Sequence, residues 1–153
     1  MEISVISNFR GNDVAAGGQG APLTPIYHQA LLNKFSEPIV VVNIGGVANI
    51  SFISNTCMLA FDTGPGNAPI DDLIKRRLGK SFDVDGATAR QGKINEKILT
   101  NLLDHSYFSV LPPKSLDRND FDFSDIRKLS VQDAAATLVA FTTTAIVRSL
   151  DYF

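Results

Sequence analysis

Two glycines set between two apolar runs constrain this chain more than any other feature. Ile39–Val42 is four consecutive β-branched residues, the pattern of a strand covered on both faces. Gly45-Gly46 interrupts it, and Val47–Ile53 resumes the same chemistry. Two strands joined by a Gly-Gly pair make a hairpin, because glycine enters tight-turn conformations without a Cβ penalty. Asn55-Thr56 supplies turn chemistry, and Met58–Phe61 reads as a third strand. The spacing therefore predicts an α/β chain with a three-stranded meander at one end of a mixed sheet.

Upstream, Ile3–Ser7 alternates apolar and polar residues and reads as a short strand. Asn8–Thr24 reads as a loop, with Gly11, Gly17, Gly18, Gly20 and Pro22 and few large apolar side chains. Pro25 suits the first turn of a helix running to about Lys34 with Thr24 as its N-cap, and Ser36-Glu-Pro38 stops it. Downstream the pattern turns helical. Ala68–Leu78 places Ile70, Leu73, Ile74 and Leu78 on one face, with Gly79 as C-cap. Gly86–Gln91 and Asn95–Leu103 read as two further helices, the second with Ile98, Leu99, Leu102 and Leu103 inward. Pro112-Pro113 forbids regular helix within Tyr107–Asn119, after which Phe121, Phe123 and Ile126 anchor a short helical turn. Ser130-Val-Gln-Asp133 has the form of a capping box opening a helix to about Leu150. Val131, Ala134, Ala135, Leu138, Val139, Ile146 and Leu150 would face inward on it.

The bulk chemistry narrows the function classes. The 153 residues suffice for one domain with a core, and 14 Lys+Arg against 16 Asp+Glu form no basic block of the kind nucleic acid requires. No apolar run approaches the ~18 residues of a membrane span, and MEISVISNFR lacks the charged-then-apolar layout of a signal peptide. One cysteine, Cys57, excludes an internal disulfide and suits a reducing cytoplasm; its apolar neighbours predict a buried, inert thiol. Cys57, His28 and His105 have no metal-ligand spacing, so no metal site is expected from protein side chains.

Three segments carry candidate chemistry. The Gly45-Gly46 turn lets backbone N–H groups approach a phosphate, and Asn43 and Asn49 flank it where a strand interior would favour Val or Ile. A plain Gly-Gly hairpin explains the glycines equally, though not the two asparagines. Asp13 precedes the glycine-rich stretch Gly17-Gly18-Gln19-Gly20; it is a candidate general base or metal–phosphate ligand, or an aspartate in a solvated turn. Asp62-Thr63-Gly64-Pro65-Gly66-Asn67 runs from a strand end into a helix start, where free N–H groups and the helix dipole favour an anion. The same residues could simply cap a turn. Lys114 and Arg118 are loop cations that could contact an anion or stand solvated.

The runs Phe9–Leu32, Asn43–Ile53, Phe61–Ile74 and Pro112–Asp122, taken together in order and spacing, resemble the anhydro-N-acetylmuramic acid kinases of bacterial cell-wall recycling. The resemblance implies an incomplete actin-like ATPase (RNase-H-like) fold. Residues 1–36 would end a first lobe with a catalytic loop and hinge helix, and residues 37–153 would form part of a second lobe, the three-stranded meander plus several helices. It implies ATP with Mg²⁺ as cofactors and anhydro-N-acetylmuramic acid as substrate, the 1,6-anhydro ring being opened hydrolytically and O6 phosphorylated. Asp13 would be the general base, Asn43, Gly45, Gly46 and Asn49 a phosphate-binding element, and Asp62–Asn67 and Gly17–Gln19 cleft lining. Asn8 stands where the family has aspartate, and Asp117 and Asn119 replace a glycine and a glutamate. The family's first phosphate loop would precede Met1 and its adenosine segment would follow Phe153. The isolated chain is therefore expected to be inactive, acting with separately encoded fragments of the same kinase or serving as a non-enzymatic binding module.

Overall fold

The computed structural model of the chain describes residues 3–32, 34–35 and 38–153. The expected helix stop at Ser36-Glu37 lies outside the described residues. The order of elements is α1 (Phe9–Ala15), α2 (Pro25–Leu32), β1 (Ile39–Ile44), β2 (Val47–Ile53), β3 (Met58–Pro65), α3 (Ala68–Leu78), α4 (Glu96–Leu103) and α5 (Val131–Ser149), with short 3₁₀ turns between the later helices.

The meander forms as the turn chemistry dictates: β1, β2 and β3 make one antiparallel sheet in that order. Alternation along the strands divides the sheet into two faces. One carries Val40, Val42 and Ile44 beside Phe52, Ile50 and Ala48, and then Leu59 and Phe61. The chain's C-terminal end packs here, with Phe153 stacked on Phe52 at 4.6 Å and Tyr152 edge-on to Phe61. The other face carries Ile39, Val41 and Asn43, then Asn49, Ser51 and Ile53, then Met58, Ala60 and Asp62. β1 differs from the expectation of a strand covered on both faces. It is the sheet edge, and Val40, Val42 and Ile44 remain at least 40% exposed.

The main core lies among the helices that follow the sheet. Ile70, Leu73 and Ile74 of α3, Leu102 and Leu103 of α4, and Ala134, Ala135, Leu138 and Phe141 of α5 meet Phe121 and Ile126 in one buried cluster. Gly79 closes α3 in the left-handed region at φ 68°, its N–H donating to Lys75 O. Ser130 caps α5 through Asp133 N–H at 3.1 Å. The capping box is one-sided, because the Asp133 carboxylate accepts from Lys93 N–H at 2.7 Å.

Several local expectations are corrected. Ile3–Ser7 forms no strand, since no neighbouring strand pairs with it among the described residues. Phe9–Ala15 is a short helix inside the expected loop. Gly86–Gln91 is helical only as a 3₁₀ turn at Ala89–Gln91: Asp85 and Gly86 have positive φ, and Asp83 draws the Thr88 and Ala89 N–H groups onto its carboxylate. Leu78, Val139 and Leu150, read as inward, are 38–44% exposed. Cys57 is exposed, because it closes the tight Ser54–Cys57 turn between β2 and β3.

Candidate functional site: a cleft over the polar end of the sheet

β3 runs farther than its apolar residues suggest, through Asp62-Thr63-Gly64-Pro65. Asn43 pairs with Asn49, and Asn49 with Asp62, so three polar side chains cross the sheet in one row. An irregularity at Ala48/Asn49, which pair with Gly64 and Asp62, leaves Thr63 as an extra residue. Thr63 turns its hydroxyl to Ala48 O at 3.3 Å. The row opens into a cleft of about 780 Å³ whose far wall is the α1–α2 segment. Asn43, Asn49 and Asp62 line it from the sheet, Arg10 and Gln19–Thr24 from the opposite side, and Ser115 and Leu116 from a third.

Asp62 is the buried acid of this cleft, 7% exposed. Burial raises its pKa; the Leu116 N–H, donating to Oδ2 at 2.9 Å, and the Arg10 charge oppose that rise only in part. Asp13 stands on α1 and is half-buried. Its Oδ2 accepts from Gly20 N–H at 2.7 Å, which folds the glycine loop back over the helix. A Cβ at Gly18 would displace the Asp13 carboxylate from this position, so glycine there leaves room for it. The loop thus holds Asp13 behind Gln19 and Gly20, which line the cleft although Asp13 itself does not.

The other expected site residues lie elsewhere. Gly45 and Gly46 point their carbonyls away from the cleft, into the start of α3. Gly45 O accepts from Asn67 N–H at 2.7 Å, and Gly46 O from Gly66 N–H at 2.9 Å and Ala68 N–H at 3.3 Å. Gly66 is required for this approach, as any Cβ would run into Gly45 O. The N–H groups expected to receive an anion at Gly66 and Asn67 are therefore engaged by the hairpin. Asn67 adds a side-chain bond to Ile44 O. Gly64 packs against Ala145 of α5. Gly17 and Gly18 support the loop without lining the cleft.

The two loop cations are not free. Arg118 pairs with Asp72 of α3 at 2.7 Å, on the outer surface and away from the cleft. Lys114 is 5% exposed. Its Nζ donates to Tyr107 O at 3.1 Å and sits 4.6 Å from the Tyr107 ring centroid and 5.1 Å from that of Tyr152. Burial lowers its pKa. Sequence reasoning overlooks Arg10, Ser115 and Leu116. Arg10 lies three residues before Asp13, a spacing that shares a helix face, but the surrounding glycines argue for a loop.

Among the described residues there is no group of three or more His, Cys, Asp or Glu placed to hold a metal. No helix among them is long and apolar enough to cross a membrane.

A polar row at a sheet end and a glycine loop holding an acid beside one cleft characterise a mixed α/β chain, and comparison with known proteins gives it a family. The sequence pattern of anhydro-N-acetylmuramic acid kinase matches residues 1–153, and the chain belongs to that family. It is 53% identical to the anhydro-N-acetylmuramic acid kinase of Methylobacterium nodulans, over 99% of this chain and 41% of that protein. It is 46% identical to the Zymomonas mobilis protein of the same name, over 99% of this chain and 42% of that one. The Rhodopseudomonas palustris (strain HaA2) protein is 52% identical over 95% of this chain and 41% of its own length. The chain thus spans about two fifths of the relatives it matches.

Proposed function

We propose that this chain supplies one side of the cleft of an ATP-dependent kinase of actin-like (RNase-H-like) architecture. The kinase opens the 1,6-anhydro ring of anhydro-N-acetylmuramic acid and phosphorylates O6. Residues 1–36 would belong to a first lobe and residues 37–153 to part of a second. The observation that carries this reading is the convergence of the Asn43–Asn49–Asp62 row with the Asp13–Gly20 loop on one cleft.

The residues present fit the nucleotide in chemistry. Asn43 and Asn49 offer amide donors to phosphate oxygens, and Arg10 offers a guanidinium for their charge. The Mg²⁺ that accompanies ATP keeps waters and phosphate oxygens as most of its ligands, so a cleft without a dedicated acidic cluster suits it. ATP supplies the phosphoryl group when bound. Gly45 and Gly46 serve by fixing the hairpin to α3, which holds Asn43 and Asn49 in register.

Asp13 acts as the base. Gly20 N–H fixes one carboxylate oxygen, and no other group among the described residues donates to this side chain. The second oxygen can therefore take a proton from water as that water attacks the anomeric carbon. The C1–O6 bond breaks, and the freed O6 is the phosphoryl acceptor. Asp62 orients the sugar or the phosphates from the opposite wall.

Replacing the matching segment of the Methylobacterium nodulans protein with residues 1–153 tests this directly. The chimera is expected to phosphorylate anhydro-N-acetylmuramic acid, and Asp13→Asn to lower kcat by about 10²–10⁴-fold, the range of a positioned base. A folded chimera with no activity would refute the cleft reading, and an Asp13→Asn chimera at full rate would remove Asp13 from the role of base. The isolated chain is expected to show negligible heat on calorimetric titration with Mg-ATP.

A further inference from the structure

Lys114 could contact an anion or stand solvated by its sequence, yet it is buried behind the cleft, and the segment that carries it meets Asp62 at its amide and at its carboxylate. Asp62 N–H donates to Lys114 O at 3.1 Å. Leu116 N–H donates to Asp62 Oδ2 at 2.9 Å. The Tyr107 hydroxyl donates to Asp62 O, and Lys114 Nζ returns to Tyr107 O at 3.1 Å. Residues 114–116 thus run along the free edge of β3 as a short bracket, with Ser115 and Leu116 presented to the cleft. We propose that Lys114 is a positioning residue, which with Tyr107 locks this bracket so that the Leu116 amide holds the Asp62 carboxylate in its cleft-facing orientation.

The physical reason lies in what a buried ammonium tolerates. Taken out of water, it needs partners for its three N–H donors and compensating charge. Here it receives one carbonyl and the faces of Tyr107, Tyr152 and Phe61, the last at 5.9 Å. Aromatic faces attract a cation most strongly when water is excluded. The arrangement exists only while Tyr107 and the bracket keep their places, so any slip of residues 114–116 along β3 breaks the cage and the hydrogen bonds together. An apolar residue at 114 would fill the space without tying the bracket to Tyr107 O. The charged and titratable groups around Asp62, Tyr107 and Lys114 include Arg10 on the cleft side of Asp62, Asp120 and Tyr152 near Tyr107, and Arg148 and Asp151, which line one cavity with Lys114.

The inference bears on catalysis only through the proposed role of the cleft, but its test uses neither ATP nor sugar, so the two fail separately. In the ¹⁵N-labelled chain, the Leu116 amide resonance is followed against pH, and its hydrogen exchange is compared with that of the Ile50 amide in β2. In the unaltered chain, the Leu116 resonance is expected to move with the ionisation of Asp62. In Lys114→Met that linked movement should be lost and Leu116 exchange should rise about tenfold, the scale of one hydrogen bond to a charged group, with Ile50 unchanged. A through-space loss of the lysine charge would shift only the midpoint and leave the amplitude. Should Lys114→Met melt at a lower temperature yet keep the full Leu116 amplitude, Lys114 merely stabilises the fold and the proposal is wrong. Tyr107→Phe keeps the ring and removes one hydroxyl, so it reports even if the methionine variant does not fold. It is expected to weaken the same amplitude and speed Leu116 exchange, and an unaltered Leu116 response would equally overturn the bracket.

Discussion

Residues 3–35 and residues 38–153 carry similar numbers of apolar side chains for their lengths but use them differently. In the first region Ile3, Val5, Ile6 and Phe9 are 62–85% exposed, and only Gly20 and Pro25 are buried among its described residues. In the second, Phe61, Ile74, Phe141 and Leu138 are at most 1% exposed. The difference is one of partners. A helix or strand contributes stability when its apolar face meets another. α3, α4 and α5 find each other and the sheet, whereas α1 is held chiefly by the Asp13–Gly20 bond and the contacts lining the cleft. One wall of the cleft is thus a packed body and the other a lightly held arm.

Substituting a large residue in each region breaks or sustains that contrast most sharply. Phe141→Ala should cost about 3–5 kcal/mol in urea unfolding, since it empties a site ringed by Phe108, Phe121 and Phe123. Phe9→Ala should change stability by no more than about 0.5 kcal/mol. Comparable losses at both positions would show that the arm is packed as firmly as the body.

Gly66→Ala comes next. The new methyl would force Gly45 O away and strain the junction of hairpin and α3, an overpacking cost of about 1–3 kcal/mol. It should be read from the thermal midpoint. Gly17→Ala is the matching change in the arm. Gly17 has φ 93° and open space around it, so only backbone strain, about 1 kcal/mol, opposes the substitution. The helix caps contrast in the same way. Ser130→Ala removes the bond to Asp133 N–H and should cost about 1 kcal/mol. Asn8 makes no side-chain cap bond to α1, so Asn8→Ala should cost only the strain of placing alanine at φ 59°, about 1 kcal/mol or less.

The body was largely legible and the arm was not, for the same reason. Gly45-Gly46, Gly79 and Ser130 announce turns and caps through local chemistry, and each occurs where its residues predict. Local pattern failed where a distant contact decided the outcome. Phe141 and Ala145 took the inward face of α5 instead of Val139 and Leu150, because packing against α3, α4 and β3 decides which side of the helix is covered. In the site, Asn43 and Asn49 stood out as polar residues in apolar strands and do line the cleft. Lys114 and Arg118 looked alike in sequence, yet one faces three rings and the other Asp72. No local signal separates them.

The smallest expected effect, and the one that tests whether the arm sits over the body in solution, belongs to Asp62. Burial raises its pKa from the ordinary aspartate value of 3.8, while the Leu116 N–H and Arg10 work against that rise. A raised native pKa means that the folded chain binds more protons than the unfolded chain across the interval between the two values. Asp62 therefore lowers stability as pH climbs from about 3.8 through the native midpoint, and the deficit stays constant above it. Asp62→Asn keeps an acceptor for Leu116 N–H and removes this pH-dependent part, so its gain in thermal midpoint over the unaltered chain should be larger at pH 7 than at pH 3. Arg10→Met removes an opposing charge contributed by α1, so the Asp62 carboxyl carbon should titrate at a higher pH in that variant. The shift will be small, because Leu116 and the bracket behind it remain. An Asp62 midpoint identical with and without Arg10 would mean that α1 does not hold its guanidinium near the buried acid, and the cleft would then have a single wall.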